Sequence, residues 1–211
     1  MLLYYIHTKS ICSPEESWLE NIIEKHACTL CKRLYPELRK NSIDVWVEEQ
    51  PDISAVNSVH PPRIGIARRD FLHLFTEEVK QYLKLGEVFD RNGLLIERFA
   101  TFVSEKHMIL RGSEKSRLRI CEKCGGYIYT SIYPWYVIKE SVFNRSIYES
   151  WPLDGLVVTE ELKNRIEKGK WKGIYITKLP VVDEPRDGFI IPPDAIYPKR
   201  ITSYEKRIKD S

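Results

Sequence analysis

The chain has 211 residues, enough for one large domain or two small ones, and 43% hydrophobic against 30% charged residues supplies a real core. Thirty-three basic against 30 acidic residues leave a formal charge of +3, too balanced for the broad positive field of a dedicated nucleic-acid binder. No run of about 18 apolar residues occurs, which excludes a membrane-spanning helix.

The stretch Met1–His7 has too short an apolar run for a signal segment, lacks a basic flank and reads as a first strand. The expected location is the cytoplasm, with no membrane partner. Ser13-Pro14-Glu15-Glu16 offers a cap, a proline at the first helical position and a glutamate three residues on, so a helix is expected to start there. Trp18, Leu19, Ile22, Ile23 and His26 then recur at helical spacing and stop just before Cys28.

Ile43 to Val47 reads as a strand, and the proline-containing, aperiodic segment 50–62 as a surface loop and a possible subdomain seam. Residues 63–67 look extended, and Phe71, Leu72, Leu74, Phe75, Val79, Tyr82 and Leu83 form a helical stripe to about Lys84. Val88 and Phe89 open a strand, Asp90-Arg91-Asn92-Gly93 is a hairpin turn, and 94–103 is the return strand. Met108–Leu110, Arg117–Ile120 and Tyr127–Tyr129 are further strands. A closing β-α-β unit runs from Gly155 to Leu179, with Thr159 as the helix cap, and echoes the element order of residues 63–89. The expected fold class is α+β: mixed, largely antiparallel sheets with a few helices. Residues 1–182 are expected to form one domain, and residues 183–211 a proline-containing basic tail.

Five cysteines include two Cys-x-x-Cys pairs, Cys28/Cys31 and Cys121/Cys124, an arrangement that random placement produces only about once in a thousand trials. In a reducing compartment such pairs point to metal or redox chemistry. Zinc takes four thiolates in a tetrahedron, and a two-residue spacer lets both sulfurs of one turn reach the same ion. Gly125 and Gly126 follow the second pair as a zinc knuckle requires, and Lys32, Arg33 and Lys123 supply nearby positive charge. The rival readings are a thioredoxin-like redox pair, which belongs between a strand and the helix it opens, and ordinary core cysteines. His26 is an alternative ligand, read first as a helix-end residue. The expected cofactor is one structural Zn2+ per chain, in a zinc-knuckle or zinc-ribbon-like site. A closed four-thiolate site has no open position for substrate. No phosphate-binding, dinucleotide, zinc-protease or nucleophile-elbow motif occurs, so no catalytic residues are assigned and the chain is not expected to be an enzyme.

Cys28-Thr-Leu-Cys31, Cys121-Glu-Lys-Cys124-Gly125 and the closing stretch from Val157 to Pro180 resemble the double-CXXCG motif proteins, bacterial immunity proteins first noted in myxobacteria. The second pair fits that pattern fully, whereas Lys32 stands where the family has glycine after the first. The resemblance implies an immunity-like protein that binds a cognate toxin and neutralises it by occlusion. It carries over only the four cysteines as site residues. Abundant Tyr and Trp suit a protein contact surface. The alternative expectation is a zinc-ribbon nucleic-acid-binding module, with Tyr127 and Tyr129 as stacking platforms.

Overall fold

The computed structural model describes residues 2–8, 10–32, 34, 43–52, 54–60, 64–104, 107–109, 111–112, 117–124, 127–131, 135–139, 142, 147–151 and 156–183. The tail expected over 183–211 therefore lies outside the described residues beyond Asp183, as do Arg33, Gly125 and Gly126. The chain is α+β, with mostly antiparallel sheets and four helices among the described residues. None of these helices is long and apolar enough to cross a membrane.

In the five-stranded sheet, β1 (Leu3–His7) lies between β14 (Leu156–Thr159) and β15 (Tyr175–Leu179), antiparallel to both. Beyond β14 come β13 (Ile147–Trp151) and β8 (His107–Ile109), while β9 (Arg111–Gly112) and β12 (Trp135–Ile138) pair antiparallel in a separate sheet. Helix α4 (Glu160–Lys168) connects β14 to β15, so the β-α-β unit read from the sequence is split by the N-terminal strand. The helix buries Leu162 and Ile166, one turn apart, while Glu161–Arg165 and Lys163–Glu167 pair at i,i+4 on its outer surface.

The six-stranded sheet repeats that plan. Strand β5 (Ile64–Arg68) and strand β6 (Leu83–Asp90) flank β7 (Leu95–Ser104), again antiparallel to both, and helices α2 (Arg69–Leu72) and α3 (Glu77–Lys80) make the connection. Its outer strands are β4 (Val56–Val59) and β2 (Ile11–Cys12) on one side and β3 (Val45–Val47) on the other. Gly65 lies opposite Phe102, whose ring occupies the space that a Cβ at residue 65 would need. At the β6–β7 turn Gly93 takes φ +78°, a conformation that glycine adopts without steric penalty.

One core joins the two sheets. Ile6 and Val158 come from the first, Ala67 and Phe102 from the second, and Phe71, Leu162 and Ile166 from helices packed into the same cluster. Phe71 meets both Phe75 and Trp171 edge to face. Each such side chain contributes roughly 1.5–3 kcal/mol by leaving water, so this layer is the main stabilising mass. A second cluster under α1 (Glu16–His26) contains Trp18, Val45, Val47, Ile66 and Phe99.

Three sequence expectations need correction. The segment expected as a surface loop over 50–62 contains a strand, Val56–Val59, buried on both faces. Burial on both faces removes the alternation by which a half-buried strand is recognised. The stripe over 71–84 is not one helix: the chain turns at His73–Phe75, restarts with Thr76 as cap, and gives Leu83 to β6. Phe71, Leu72, Phe75 and Val79 still enter one core, which is why their spacing imitates a continuous helix. Finally, the cap of α1 is Glu15, whose carboxylate accepts the N–H groups of Ser17 and Trp18, while Pro14 makes an isolated bridge to Val47.

Candidate metal centre

Helix α1 ends at His26, and the next residues form the first cysteine turn. Ala27 makes an antiparallel bridge to Leu34, enclosing the segment that carries Cys28 and Cys31. The second turn is the tip of a hairpin between β10 (Arg117–Ile120) and β11 (Tyr127–Ser131), where Ile120 pairs with Tyr127. Both frames close around six residues, with cysteines at the first and fourth positions. The two knuckles are thus equivalent at a sequence offset of 93 residues. In this register Lys32 corresponds to Gly125.

The equivalent cysteines face one another. Cys28 Sγ lies 3.8 Å from Cys121 Sγ, and Cys31 Sγ lies 3.6 Å from Cys124 Sγ. All four sulfurs fall within 4.8 Å of one another. A tetrahedron of thiolates at about 2.3 Å from a metal has edges of about 3.8 Å. These two edges match that size, whereas a disulfide would bring a pair to about 2.05 Å. None of the four is in a disulfide. Cys28, Cys121 and Cys124 are buried, at 0%, 2% and 5% exposure, and Cys31 is partly exposed. The donor set fits a metal ion held by four sulfurs.

Local backbone prepares this arrangement. The N–H groups of Cys31 and Leu30 point at the Cys28 sulfur, as does the Cys124 thiol, and all three favour negative charge there. Burial acts more strongly in the other direction and pushes the Cys28 thiol up. A cation among the four sulfurs would remove that conflict by replacing protons. Lys32, directly after Cys31, turns the chain with φ +58° and donates its N–H to the Cys28 carbonyl at 2.7 Å. Across the knuckles, Lys123 Nζ donates to Thr29 Oγ1 at 2.5 Å, tying the two tips together outside the sulfurs.

His26 is exposed at the helix end and does not belong to the ligand group. Cys12 also stands apart, buried in β2, with its thiol pushed up to about 11 by burial and by the nearby Asp52 carboxylate. Among the described residues neither cysteine pair opens a helix: the first follows α1 and the second lies between two strands. The 93-residue equivalence was present in the sequence as Ala27/Leu34 and Ile120/Tyr127 at equal distances from the cysteines. The Thr29–Lys123 bond had no such signal. A closed set of four thiolates can hold an ion and cross-link the chain, and it leaves no coordination position for a reacting molecule.

No protein-family model matches the chain, and no curated protein matches it.

Proposed function

We propose that the chain is a zinc-stapled binding protein that neutralises a cognate bacterial toxin by covering the toxin's working surface, with no chemistry of its own. The observation that carries the metal half of this reading is the four-sulfur cluster, sized for an ion with metal–sulfur bonds of about 2.3 Å. Zinc suits it best, since an all-thiolate tetrahedral set is the usual structural zinc site and imposes no redox chemistry. Cys28, Cys31, Cys121 and Cys124 would hold the ion. It would cross-link the end of α1 to the β10–β11 hairpin over 89 intervening residues, restricting the unfolded chain and coupling metal uptake to folding.

The immunity half rests on the double-CXXCG resemblance of the cysteine motifs and on a chain rich in Tyr and Trp. A closed metal site also suits a protein that acts by contact and not by turnover. Co-production with a secreted toxin from a neighbouring gene tests the reading. Restored growth together with a stoichiometric complex on gel filtration is the expected result. Full toxicity with no complex, from a well-folded zinc-loaded protein, rejects it.

A further inference from the structure

The two large sheets share one strand order. In one it runs β4-β5-β7-β6, in the other β13-β14-β1-β15. Outside these, β2 pairs parallel with β4 as β8 does with β13. The match extends to register. Ala100 of β7 lies opposite Ala67 and Glu87, and Leu3 of β1 lies opposite Thr159 and Leu179. Ser104 faces Leu83 as His7 faces Tyr175. Thr159, Tyr175 and Leu179 follow Ala67, Leu83 and Glu87 by the same number of residues, close to the 93 that separate the paired cysteines. Further along, Val45 and Trp46 pair parallel with Val88 and Phe89, while Val137 and Ile138 pair parallel with Val181 and Val182 of β16 (Val181–Val182).

Side chains keep to this correspondence. Leu3, Tyr5 and Ile6 of one central strand stand where Ala100, Phe102 and Val103 stand in the other, and all are buried. The two sheets differ in the origin of that strand. Strand β7 follows β6 through the Asn92-Gly93 turn, whereas the same place beside β15 is filled by β1, from the other end of the chain. The first strand of each half therefore completes the sheet of the other half. Each knuckle cysteine also meets its own equivalent, Cys28 against Cys121 and Cys31 against Cys124, as residues beside a two-fold axis do. Helix α1 departs from the plan, with no counterpart among the described residues.

We infer that the chain is a fused pair of one half-length unit, in which each unit binds its twin through a slot for the twin's first strand and through a knuckle that supplies half of the metal site. The ligand of the slot between β14 and β15 is an extended segment paired on both edges, here Leu3–His7. Main-chain pairing holds such a segment, and its buried side chains select it. The ion sits on the axis between twins, so metal uptake is part of their association. This inference goes beyond toxin neutralisation and stands without it.

The test moves β1 within the full chain. One variant lacks residues 1–9. A second lacks them at the start but carries, between residues 182 and 183, a copy of segment 90–98 followed by residues 2–9, which repeats behind β16 the path from β6 into β7. The truncation should abolish stoichiometric zinc uptake and the dispersed amide spectrum, and the relocated strand should restore both. Nuclear Overhauser contacts should then still join Leu3 to Thr159 and to Leu179. A relocated strand that restores nothing, or a truncated chain that keeps its fold and zinc, overturns the inference. Hydrogen exchange of the unaltered zinc-loaded protein gives a second reading. The slowest amides of the two sheets should be protected to within about tenfold of each other and fall together when zinc is removed, because neither sheet closes without the other unit's strand. Two well-separated levels of protection also overturn it.

Discussion

The backbone N–H of Lys32 donates to the Cys28 carbonyl at 2.7 Å, and Lys32 reaches that position only by adopting φ +58°. A left-handed conformation costs an L-residue roughly 1–2 kcal/mol, against about 0.5–1 kcal/mol of extra backbone entropy lost by glycine. Lys32→Gly should therefore stabilise the metal-loaded protein by about 0.5–1 kcal/mol. Denaturant unfolding at fixed zinc measures this. Lys32→Ala, which keeps the strain, should give no gain, and an equal gain from both variants would contradict the account.

Asn57 holds the concealed strand in place. Its side-chain oxygen contacts Ser10 Oγ at 2.5 Å, its amide nitrogen donates to the Ser54 carbonyl at 3.1 Å, and it is 1% exposed. Asn57→Ala removes both bonds and takes a partner from the buried Ser54 carbonyl, a loss of about 1–3 kcal/mol. A lowered denaturant midpoint is the expected result, and an unchanged one would show that this polar contact carries no stability.

Cys12 should behave unlike the other four cysteines. With its thiol pushed up to about 11 by burial and Asp52, it is overwhelmingly protonated at pH 8, and iodoacetamide should modify it slowly, the rate rising toward pH 11. Asp52→Asn removes the opposing negative charge and should move that profile to lower pH. Mass spectrometry of the Cys12 peptide reads the outcome, and rapid modification of the native protein at pH 8 would contradict it.

Acid should weaken the start of α1. The Ser17 hydroxyl, followed by the N–H groups of Trp18 and Ser17, holds the Glu15 carboxyl below its ordinary value of about 4.5. A group whose folded value is depressed contributes stability fully above its unfolded value, and loses that contribution as pH falls through the folded one. The stability difference between wild type and Glu15→Ala should thus be constant above about pH 5 and shrink below about pH 4. Comparing the two proteins at each pH cancels acid release of metal, which is common to both. A difference that grows toward low pH would reverse the expected sign.

How far the molecule could be read in advance depended on whether local pattern and tertiary burial agreed. The Asn92-Gly93 turn and the Leu162/Ile166 stripe were legible because turn chemistry and one-sided burial each leave a short-range trace. The cysteine spacing was legible because two ligands per knuckle must be close in sequence. Val56–Val59 was hidden by burial on both faces and by polar Asn57, whose side-chain oxygen is satisfied by the distant Ser10 hydroxyl. The break at His73–Phe75 was hidden because both sides of the turn feed the same core. The insertion of β1 between β14 and β15, and of β7 between β5 and β6, depends on long-range pairing that no window of residues records.

The claim that everything else leans on is a single ion bound by sulfur from both knuckles at once. X-ray absorption at the zinc edge, on purified full-length protein carrying its native metal, tests it most directly. The account predicts one zinc per chain surrounded by four sulfur atoms at about 2.3 Å. A shell containing nitrogen or oxygen, fewer than four sulfurs, or protein that folds with no stoichiometric metal would contradict it.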